Sequence, residues 1–189
     1  MSKLRIFIKE KSIQTLGPGN RYGIWVQGCN RRCSGCVAEQ SQPLNGGTLV
    51  DVGGLAWEII CSDVEGLTIS GGEPFLQADA LTELITLIRA KKDIGVIVYT
   101  GYLREELKNV PGGDSFLQQI DLLIDGPYKR ELDDGKSLRG SSNQRVIALT
   151  DRYQDYLHMY GTEGRKTEVF KHGDTINIVG IPNRENPKE

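Results

Sequence analysis

The sequence Cys29-Asn30-Arg31-Arg32-Cys33-Ser34-Gly35-Cys36 places three cysteines within eight residues, shortly after the apolar run Gly23-Ile24-Trp25-Val26. Thiolates bind zinc, copper(I) or the iron of iron–sulfur clusters. Three ligands without a nearby fourth leave one coordination position free, and an iron–sulfur cube with such an iron can bind a further molecule directly. The stretch therefore predicts a metal centre with an open position, in a loop that follows a buried strand.

A closed zinc site is the alternative for this cysteine loop. It would need a fourth ligand, because structural zinc sites normally have four. The candidates are Cys61, His158 and His172, and neither histidine lies at a ligand-like spacing from another candidate. Cys61 ends the apolar run from Trp57, which predicts an inert buried thiol. The loop favours an iron–sulfur cluster, and zinc stays open as the second interpretation.

Composition limits the partners that the chain can take. With 189 residues, of which 38% are hydrophobic, it is long enough for one compact domain. A net charge of -2 argues against a dominant electrostatic interaction with nucleic acid or acidic lipid. Because no apolar run approaches the roughly 20 residues that span a bilayer, and no secretory signal pattern is present, we expect a cytoplasmic protein without membrane or direct nucleic-acid partners.

Strand and helix patterns alternate along most of the chain. Strands are predicted at 4–9, 22–27, 67–71, 96–99, 122–125 and 146–149, and helices at 50–62, 76–92, 104–109 and 116–120. This β-α-β order predicts an α/β fold with a parallel sheet, and the strands are too few to close an eight-stranded barrel. We therefore expect an open, partial parallel β/α barrel over residues 1–150.

The segment 151–189 has a different pattern. Glu168–Lys171 and Ile176–Val179 flank a His172-Gly173-Asp174 turn, which predicts a β-hairpin. The polar tail from Pro182 onward predicts disorder. We interpret this segment as a C-terminal extension packed on the same domain.

Candidate site residues follow the ends of the predicted parallel strands, where such sheets bind their ligands. Cys29, Gly71-Gly72-Glu73, Thr100-Gly101-Tyr102 and Asp125-Gly126 all lie at such ends. Taken alone, Gly71-Gly72-Glu73-Pro74 is typical of a strand-to-helix turn. As part of a site, its carboxylate can accept hydrogen bonds from a ligand ammonium, while the glycines let the backbone approach closely.

Several motifs recur along residues 12–150 in a characteristic order. They are Gly17-Pro18-Gly19-Asn20-Arg21, the cysteine loop, Gly71-Gly72-Glu73-Pro74, Tyr99-Thr100-Gly101-Tyr102, Asp121-Leu122-Leu123-Ile124-Asp125-Gly126 and Arg139-Gly140-Ser141-Ser142-Asn143-Gln144. On these motifs the chain resembles the family of activating proteins of anaerobic ribonucleotide reductases, within the radical S-adenosylmethionine superfamily. The run from Arg139 to Gln144 is the most discriminating of them.

The resemblance implies that Cys29, Cys33 and Cys36 hold a [4Fe–4S] cluster whose fourth iron chelates S-adenosylmethionine. The further cofactor contacts that it implies are Gly71, Gly72, Glu73, Pro74, Thr100, Tyr102, Ser141, Ser142 and Asn143. It also implies an oxidoreductase that reductively cleaves S-adenosylmethionine to a 5′-deoxyadenosyl radical and generates a glycyl radical on a partner reductase. A reducing donor such as flavodoxin or ferredoxin would supply the electron.

Two other functions remain open. The chain can be a radical maturase of a peptide or small molecule, with the C-terminal hairpin as its recognition element, because short members of the family lack this extension. A non-enzymatic metal-binding interaction module is the third hypothesis. These alternatives differ in substrate and in chemistry but share the metal centre at the cysteine loop.

Overall fold

The computed structural model describes residues 2–183. The strands are β1 (Lys3–Ile13), β2 (Arg21–Val26), β3 (Thr48–Asp51), β4 (Gly66–Gly71), β5 (Gly95–Tyr99), β6 (Leu122–Asp125), β7 (Arg145–Ala148), β8 (Thr167–His172) and β9 (Thr175–Gly180). The α-helices are α1 (Val52–Ile60), α2 (Ala78–Arg89) and α3 (Gly113–Leu117). Short 3-10 helices cover Glu39–Ser41, Pro74–Gln77, Arg104–Asn109, Arg130–Leu132 and Asp151–Met159.

One mixed sheet of seven strands organises the chain, in the order β3-β1-β2-β4-β5-β6-β7. The neighbours β2, β4, β5 and β6 run parallel, as the alternating pattern predicts. Pairing is antiparallel at both edges, between β3 and β1, β1 and β2, and β6 and β7. The short connection between β1 and β2 permits only antiparallel pairing, because a parallel pair needs a long crossover. Within residues 2–183, β3 and β7 do not pair with each other, so the sheet forms no closed barrel.

The two faces of the sheet are covered differently. On one face, α1 and α2 bury an apolar cluster that includes Val96 and Val98 of β5. On the other face, Ile97 packs with Leu138 and Tyr153, which belong to the segment after β6. This alternation along β5 follows from the two-residue side-chain period of a strand. Because β5 is buried on both faces, its sequence reads as a continuous apolar run.

Three helix predictions differ from the structure at their ends. The helix predicted at 50–62 is α1, which spans Val52–Ile60, because Val50 and Asp51 belong to β3. The helical segment predicted at 76–92 begins as the 3-10 turn Pro74–Gln77 and continues as α2, with Leu81, Leu84, Ile85 and Ile88 buried as the period indicates. The helix predicted at 116–120 is instead α3, which ends at Leu117.

The predicted burial of Cys61 is wrong, because this thiol is exposed at the C-terminal cap of α1. It lies two residues beyond the buried Ile59, about 200° around the helix, and so points away from the core.

The short edge strand β3 has no counterpart in the sequence predictions. Three of its four residues are exposed, so it carries neither the alternation nor the apolar run that indicates a strand. It forms because the exposed edge of β1 offers hydrogen-bonding groups, with Leu4 paired to Val50. Asp51 ends the strand and caps α1 by accepting a 2.8 Å hydrogen bond from the backbone N–H of Gly54.

The segment after β7 contains the 3-10 helix Asp151–Met159 and a separate two-stranded antiparallel sheet, β8 with β9. The division of the chain at residue 150 stays a prediction. The part of the predicted disordered tail beyond residue 183 lies outside the described residues. Over the described part of the chain, none of the helices is both long and apolar enough to traverse a bilayer.

Candidate functional site

A cavity opens where the parallel strands β2, β4, β5 and β6 end. Each strand contributes the residues that directly follow it or close it. The lining includes Cys29 after β2, Gly71 and Gly72 at the end of β4, Tyr99, Thr100 and Gly101 at the end of β5, and Gly126 after β6. The expected convergence of the strand ends is therefore present in the structure.

The three cysteines of the loop meet at this cavity. Cys29, Cys33 and Cys36 are free, partly exposed thiols, and all three line it. The start of the loop is fixed by two backbone hydrogen bonds, from Gly28 N to Ser41 O at 2.7 Å and from Cys29 N to Gln42 O at 2.9 Å. Burial raises the pKa of the Cys29 thiol. Backbone N–H groups of the loop lower this pKa, but their effect is smaller than that of burial.

The Gly-Gly-Glu-Pro turn lies directly against the backbone that leads into the cysteine loop. Gly72 N donates to Val26 O and Glu73 N donates to Gly28 O, both at 2.8 Å. A Cβ atom at Gly72 would lie 2.2 Å from the carbonyl oxygen of Gly28, so no larger residue fits without moving the backbone. Gly71 has a φ of 98°, which also favours glycine. Both glycines are therefore needed for the close approach of this turn to Gly28.

Glu73 joins the ends of β4 and β5. Its side chain is buried, and its Oε1 accepts hydrogen bonds from Thr100 Oγ1 at 2.8 Å and from Phe75 N at 3.1 Å. Oε2 accepts from Gly101 N at 2.8 Å. Burial raises the pKa of Glu73 to about 7, although these hydrogen bonds and the charge of Arg31 act in the opposite direction. A carboxylate has about four lone-pair sites, so these three bonds leave one acceptor site on Oε2 unused.

Thr100 and Tyr102 have different positions. Thr100 is buried in the cavity wall, where its hydroxyl group donates to Glu73 and accepts from Tyr102 N at 3.1 Å. Tyr102 is not among the described residues that line the cavity. Its hydroxyl accepts from Asn30 Nδ2 at 2.6 Å, and its ring lies 4.6 Å from the guanidinium carbon of Arg31. Tyr102 thus holds two residues of the cysteine loop from outside.

The Arg139–Gln144 run reaches the cavity through Gly140 and Gln144. Ser141 is fully buried and its Oγ accepts from Lys129 N at 3.1 Å, while Asn143 Nδ2 donates to Pro127 O at 2.8 Å. Ser142 is exposed. Of the Arg139–Gln144 run, Gly140 and Gln144 line the cavity.

Pro74, the last residue of the Gly-Gly-Glu-Pro turn, is buried at the start of its 3-10 helix.

Gln144 is a cavity residue that the sequence predictions did not select. Its Oε1 accepts from Gly140 N and its Nε2 donates to Gly126 O, both at 2.8 Å. The sequence predictions selected the Arg139–Gln144 motif as a whole. They could not tell which residues of this motif reach the cavity.

The sequence predictions also did not include an apolar and aromatic wall of the cavity. Leu16, Trp25, Tyr99 and Ile181 form it, and they pack together with buried Val179 of β9. Burial raises the pKa of Tyr99, and its hydroxyl group has no hydrogen-bond partner among the described residues. These residues come from four separate segments, so no local pattern could have assembled them.

The donor set fits an iron–sulfur cluster beside a ligand that carries an ammonium group. Three thiols share the cavity with glycine backbone and with a carboxylate that retains one acceptor site. Among residues 2–183, no three His, Cys, Asp or Glu side chains are grouped closely enough to hold a single metal ion. A cluster does not require such convergence, because each thiolate binds a different iron. Cys61, His158 and His172 do not line the cavity, so the closed zinc site gains no fourth ligand from them.

Comparison with known proteins agrees with this geometry. Residues 15–147 match a family model described as a 4Fe-4S single cluster domain. The anaerobic ribonucleoside-triphosphate reductase-activating protein of Enterobacteria phage T4 is 34% identical over 143 residues, which are 71% of this chain and 88% of that protein. The protein of the same name from Haemophilus influenzae is 34% identical over 141 residues, 69% of this chain and 88% of its own length. The Escherichia coli K12 protein of that name is 32% identical over 149 residues, with coverages of 70% and 91%.

Among solved structures, that of QueE from Escherichia coli is similar with a TM-score of 0.44 and 17% identity, over 52% of this chain and 53% of that one. This level of similarity does not establish a common fold.

Proposed function

The chain belongs to the family of anaerobic ribonucleoside-triphosphate reductase-activating proteins, and from this premise we propose that it generates a glycyl radical on a partner anaerobic ribonucleotide reductase. The observation that carries the proposal is the shared cavity of Cys29, Cys33, Cys36 and the Gly-Gly-Glu turn. The chain is an enzyme of the radical S-adenosylmethionine type, and its cofactors are a [4Fe–4S] cluster and S-adenosylmethionine.

When bound, the cluster and S-adenosylmethionine together supply the one-electron cleavage of a C–S bond that yields a 5′-deoxyadenosyl radical. The contribution of the protein is binding, orientation and exclusion of water. Cys29, Cys33 and Cys36 hold the cluster, and the fixed start of the loop sets where the first thiolate lies.

Glu73 orients the methionyl ammonium group through its remaining acceptor site. Three donated hydrogen bonds hold the carboxylate in place before any ligand binds, so little reorganisation is needed. Gly71 and Gly72 let the backbone approach the methionyl group. Thr100 completes the same wall.

The other predicted cofactor contacts have an indirect role: they position neighbouring residues and do not touch the cofactors themselves. Tyr102 supports Asn30 and Arg31, and Pro74 starts the 3-10 helix behind Glu73. Ser141, Ser142 and Asn143 shape the loop that brings Gly140 and Gln144 to the cavity. The apolar wall with Leu16, Trp25 and Ile181 confines the space beside the cofactors, because a reactive radical must meet its target before it meets another C–H or S–H hydrogen donor.

The partner follows from this chemistry. A reductase has to present a backbone glycine at the open end of the cavity, and a small reducing protein such as flavodoxin or ferredoxin supplies the electron. We infer a partial, open barrel formed by curvature of the sheet, which leaves room for such a protein substrate. The cytoplasmic location and the lack of direct nucleic-acid contact stay predictions.

Anaerobic reconstitution with iron and sulfide tests the proposal. The loaded protein, with dithionite and S-adenosylmethionine, is expected to form 5′-deoxyadenosine, and to give the paramagnetic signal of a glycyl radical when the reductase of the source organism is added. Cys33→Ala is expected to lose the cluster and both products. Cys61→Ala is the matched control and is expected to keep them, since this thiol is exposed at the end of α1.

The outcomes separate the alternatives. A filled cluster that forms no 5′-deoxyadenosine would contradict the enzymatic proposal and favour a metal-binding interaction module. Formation of 5′-deoxyadenosine without a radical on the reductase would favour a different substrate, as in a peptide or small-molecule maturase.

A further inference from the structure

The cysteine loop donates a hydrogen bond to one of its own sulfurs. The backbone N–H of Arg31 donates to Cys29 Sγ, with an N···S distance of 3.4 Å. The next residue, Arg32, has a φ of 47°, in the left-handed region that residues other than glycine adopt uncommonly. Such backbone persists where the surrounding structure holds it in place. The residues after Cys29 therefore need support from outside the loop to keep this N–H directed at the sulfur.

Tyr102 supplies contacts to both residues that separate Cys29 from Arg32. Its hydroxyl group accepts a hydrogen bond from Asn30 Nδ2 at 2.6 Å, and its ring centroid lies 4.6 Å from the guanidinium carbon of Arg31. The first contact holds a side-chain amide and the second holds a cation over an aromatic ring. One side chain thus fixes two consecutive residues of the loop.

The backbone of Tyr102 is itself bonded to the cavity wall. Its N–H donates to Thr100 Oγ1 at 3.1 Å, and its carbonyl oxygen accepts from Gly126 N at 2.8 Å. Thr100 in turn donates to the buried carboxylate of Glu73. Tyr102 therefore connects the loop to a wall that the ends of β4, β5 and β6 hold in place.

Gly101 leaves the space in which Arg31 lies. A Cβ atom at Gly101 would be 2.8 Å from Arg31 Cγ, so any side chain at this position would displace the stem of the arginine. The Arg31 guanidinium group extends further, to 3.9 Å from Glu106 Oε2. The path of the Arg31 side chain is thus set by Gly101, Tyr102 and Glu106 together.

Hydrogen bonds to the sulfurs of an iron–sulfur cluster help to set its reduction potential. One-electron reduction adds a negative charge to the cluster, so an N–H donor at a ligand sulfur stabilises the reduced form more than the oxidised form. A donor on Cys29 therefore raises the reduction potential. This matters for the proposed reaction, because the cluster has to be reduced before S-adenosylmethionine can be cleaved.

We propose that Tyr102 is a positioning residue that raises the reduction potential of the cluster, by holding Asn30 and Arg31 so that the loop donates to the Cys29 sulfur. This inference rests on the proposed cluster at the three cysteines. It gives Tyr102 a role in cluster reduction in place of the predicted contact with S-adenosylmethionine.

The test compares Tyr102→Leu with the wild type on the reconstituted full chain. Leucine removes the ring and the hydroxyl group but changes no charge, so a shift in potential reports the position of the loop. A substitution of Arg31 is a poorer test, because it also removes a positive charge close to the cluster. Tyr156→Leu is the matched control, since Tyr156 is 41% exposed and does not line the cavity of the cysteines.

The main readout is a redox titration at equal iron and sulfide content, followed through the paramagnetic signal of the reduced cluster. At the potential where half of the wild-type cluster is reduced, the ratio of reduced to oxidised cluster in Tyr102→Leu is expected to be about tenfold lower. This corresponds to about 59 mV for one electron. The second readout is pulsed electron resonance in D2O, where the coupling of the cluster to its nearest exchangeable hydrogen should weaken. The control variant should match the wild type in both.

An unchanged potential in Tyr102→Leu with a filled cluster would overturn the proposal. A lower potential with unchanged coupling to the exchangeable hydrogen would also overturn it, because the donor to Cys29 would then still be in place. If Tyr102→Leu does not hold the cluster, Tyr102→Phe replaces it in the same titration. Phenylalanine keeps the ring beside Arg31 and loses only the bond from Asn30, so it should give a smaller shift in the same direction, and no shift would overturn the proposal.

Failure of the proposed function gives different results. They are a wild-type protein that binds no cluster at the three cysteines, or one whose reduced cluster forms no 5′-deoxyadenosine from S-adenosylmethionine. Neither result depends on the comparison between Tyr102 variants.

Discussion

Gly72 is the glycine of the candidate site at which an added Cβ would come closest to a neighbouring atom. Its backbone N–H and that of Glu73 bond to Val26 and Gly28, directly before Cys29. Any Cβ would lie 2.2 Å from Gly28 O, an atom of the backbone that cannot rotate away. The position of the cysteine loop and that of the Gly-Gly-Glu turn are therefore coupled through this one contact.

Gly72→Ala is expected to lower the free energy of unfolding by about 1–3 kcal/mol, because overpacking forces the backbone apart. The iron content after reconstitution should fall with it. Gly54→Ala is the control: this α1 position meets only Asp51 Oδ2 at 3.6 Å, so alanine fits and should stabilise the helix by roughly 0.5–1 kcal/mol. Urea unfolding and iron analysis measure both. Equal stabilities for the two variants would contradict the close contact.

Glu58 links α1 to β1 and β2 through charge. Burial opposes its ionisation, but hydrogen bonds from Lys9, Tyr22 and Lys11 outweigh burial and lower the pKa of Glu58 to about 2. Because the folded pKa lies below the ordinary value of 4.5, the ionised carboxylate stabilises the folded chain above pH 4.5. This contribution is lost as the pH falls from 4.5 towards 2.

Glu58→Gln is therefore expected to destabilise the protein by about 1–2 kcal/mol at pH 7, a value discounted for the partial exposure of the carboxylate. The difference between variant and wild type should shrink when the free energy of unfolding is measured at successively lower pH below 4.5. A difference that stays constant over this range would show that packing, and not ionisation, is responsible.

At the scale of elements, one buried arginine joins three strands and the segment that follows the sheet. Arg21 is fully buried at the start of β2, and its ring partner is Tyr153, whose centroid lies 5.4 Å from the guanidinium carbon. Its five donated hydrogen bonds end on Thr68 Oγ1, the Tyr153 hydroxyl and the carbonyls of Pro18, Leu67 and Gly95. The planar guanidinium group is what lets one side chain reach all of them.

Arg21→Lys is expected to destabilise the protein by about 2–4 kcal/mol, because an ammonium group leaves several buried acceptors unsatisfied, at roughly 1–3 kcal/mol each. Arg152→Lys is the matched control. Arg152 pairs with an exposed Asp93, and such pairs contribute about 0–1 kcal/mol. Chemical denaturation measures the free energy of unfolding of both variants. Similar losses at the two positions would contradict the stabilising role of the Arg21 hydrogen bonds.

The elements also show which parts of the fold the sequence can predict. The buried strands β4, β5 and β6 and the helix α2 have strong local patterns, and the parallel order then brings the strand ends together. β3 has no such pattern, because an exposed edge strand depends on its partner β1. Cys61 was predicted to be buried from an apolar neighbourhood in sequence, whereas the helical period places it on the other side of α1.

The candidate site divides in the same way. The motifs and their position at strand ends were enough to predict that the three cysteines, Glu73 and Thr100 lie close together. Gln144 and the wall formed by Leu16, Trp25, Tyr99 and Ile181 depend on contacts between distant segments. No alternation or spacing within one segment encodes such contacts, so they become visible only in the folded chain.

At the scale of the whole molecule, the chain combines a shared catalytic sheet with an added hairpin. The hairpin forms its own two-stranded sheet and is joined to the larger sheet through side chains. This attachment predicts that the hairpin can open while the seven-stranded sheet stays folded. Regions joined by few contacts commonly open at a lower free energy than the core.

Glu168→Gln tests whether the hairpin opens separately from the sheet. The carboxylate of Glu168 accepts from the backbone N–H groups of Gln14 and Thr15, and a neutral amide makes weaker bonds there. Amide hydrogen exchange in β8 and β9 is expected to become about tenfold faster, which corresponds to roughly 1.4 kcal/mol, while β4 and β5 keep their protection. Asp114→Asn, at an exposed position of α3, should leave the hairpin unchanged. Faster exchange throughout both sheets would instead mean that the hairpin and the seven-stranded sheet unfold as one unit.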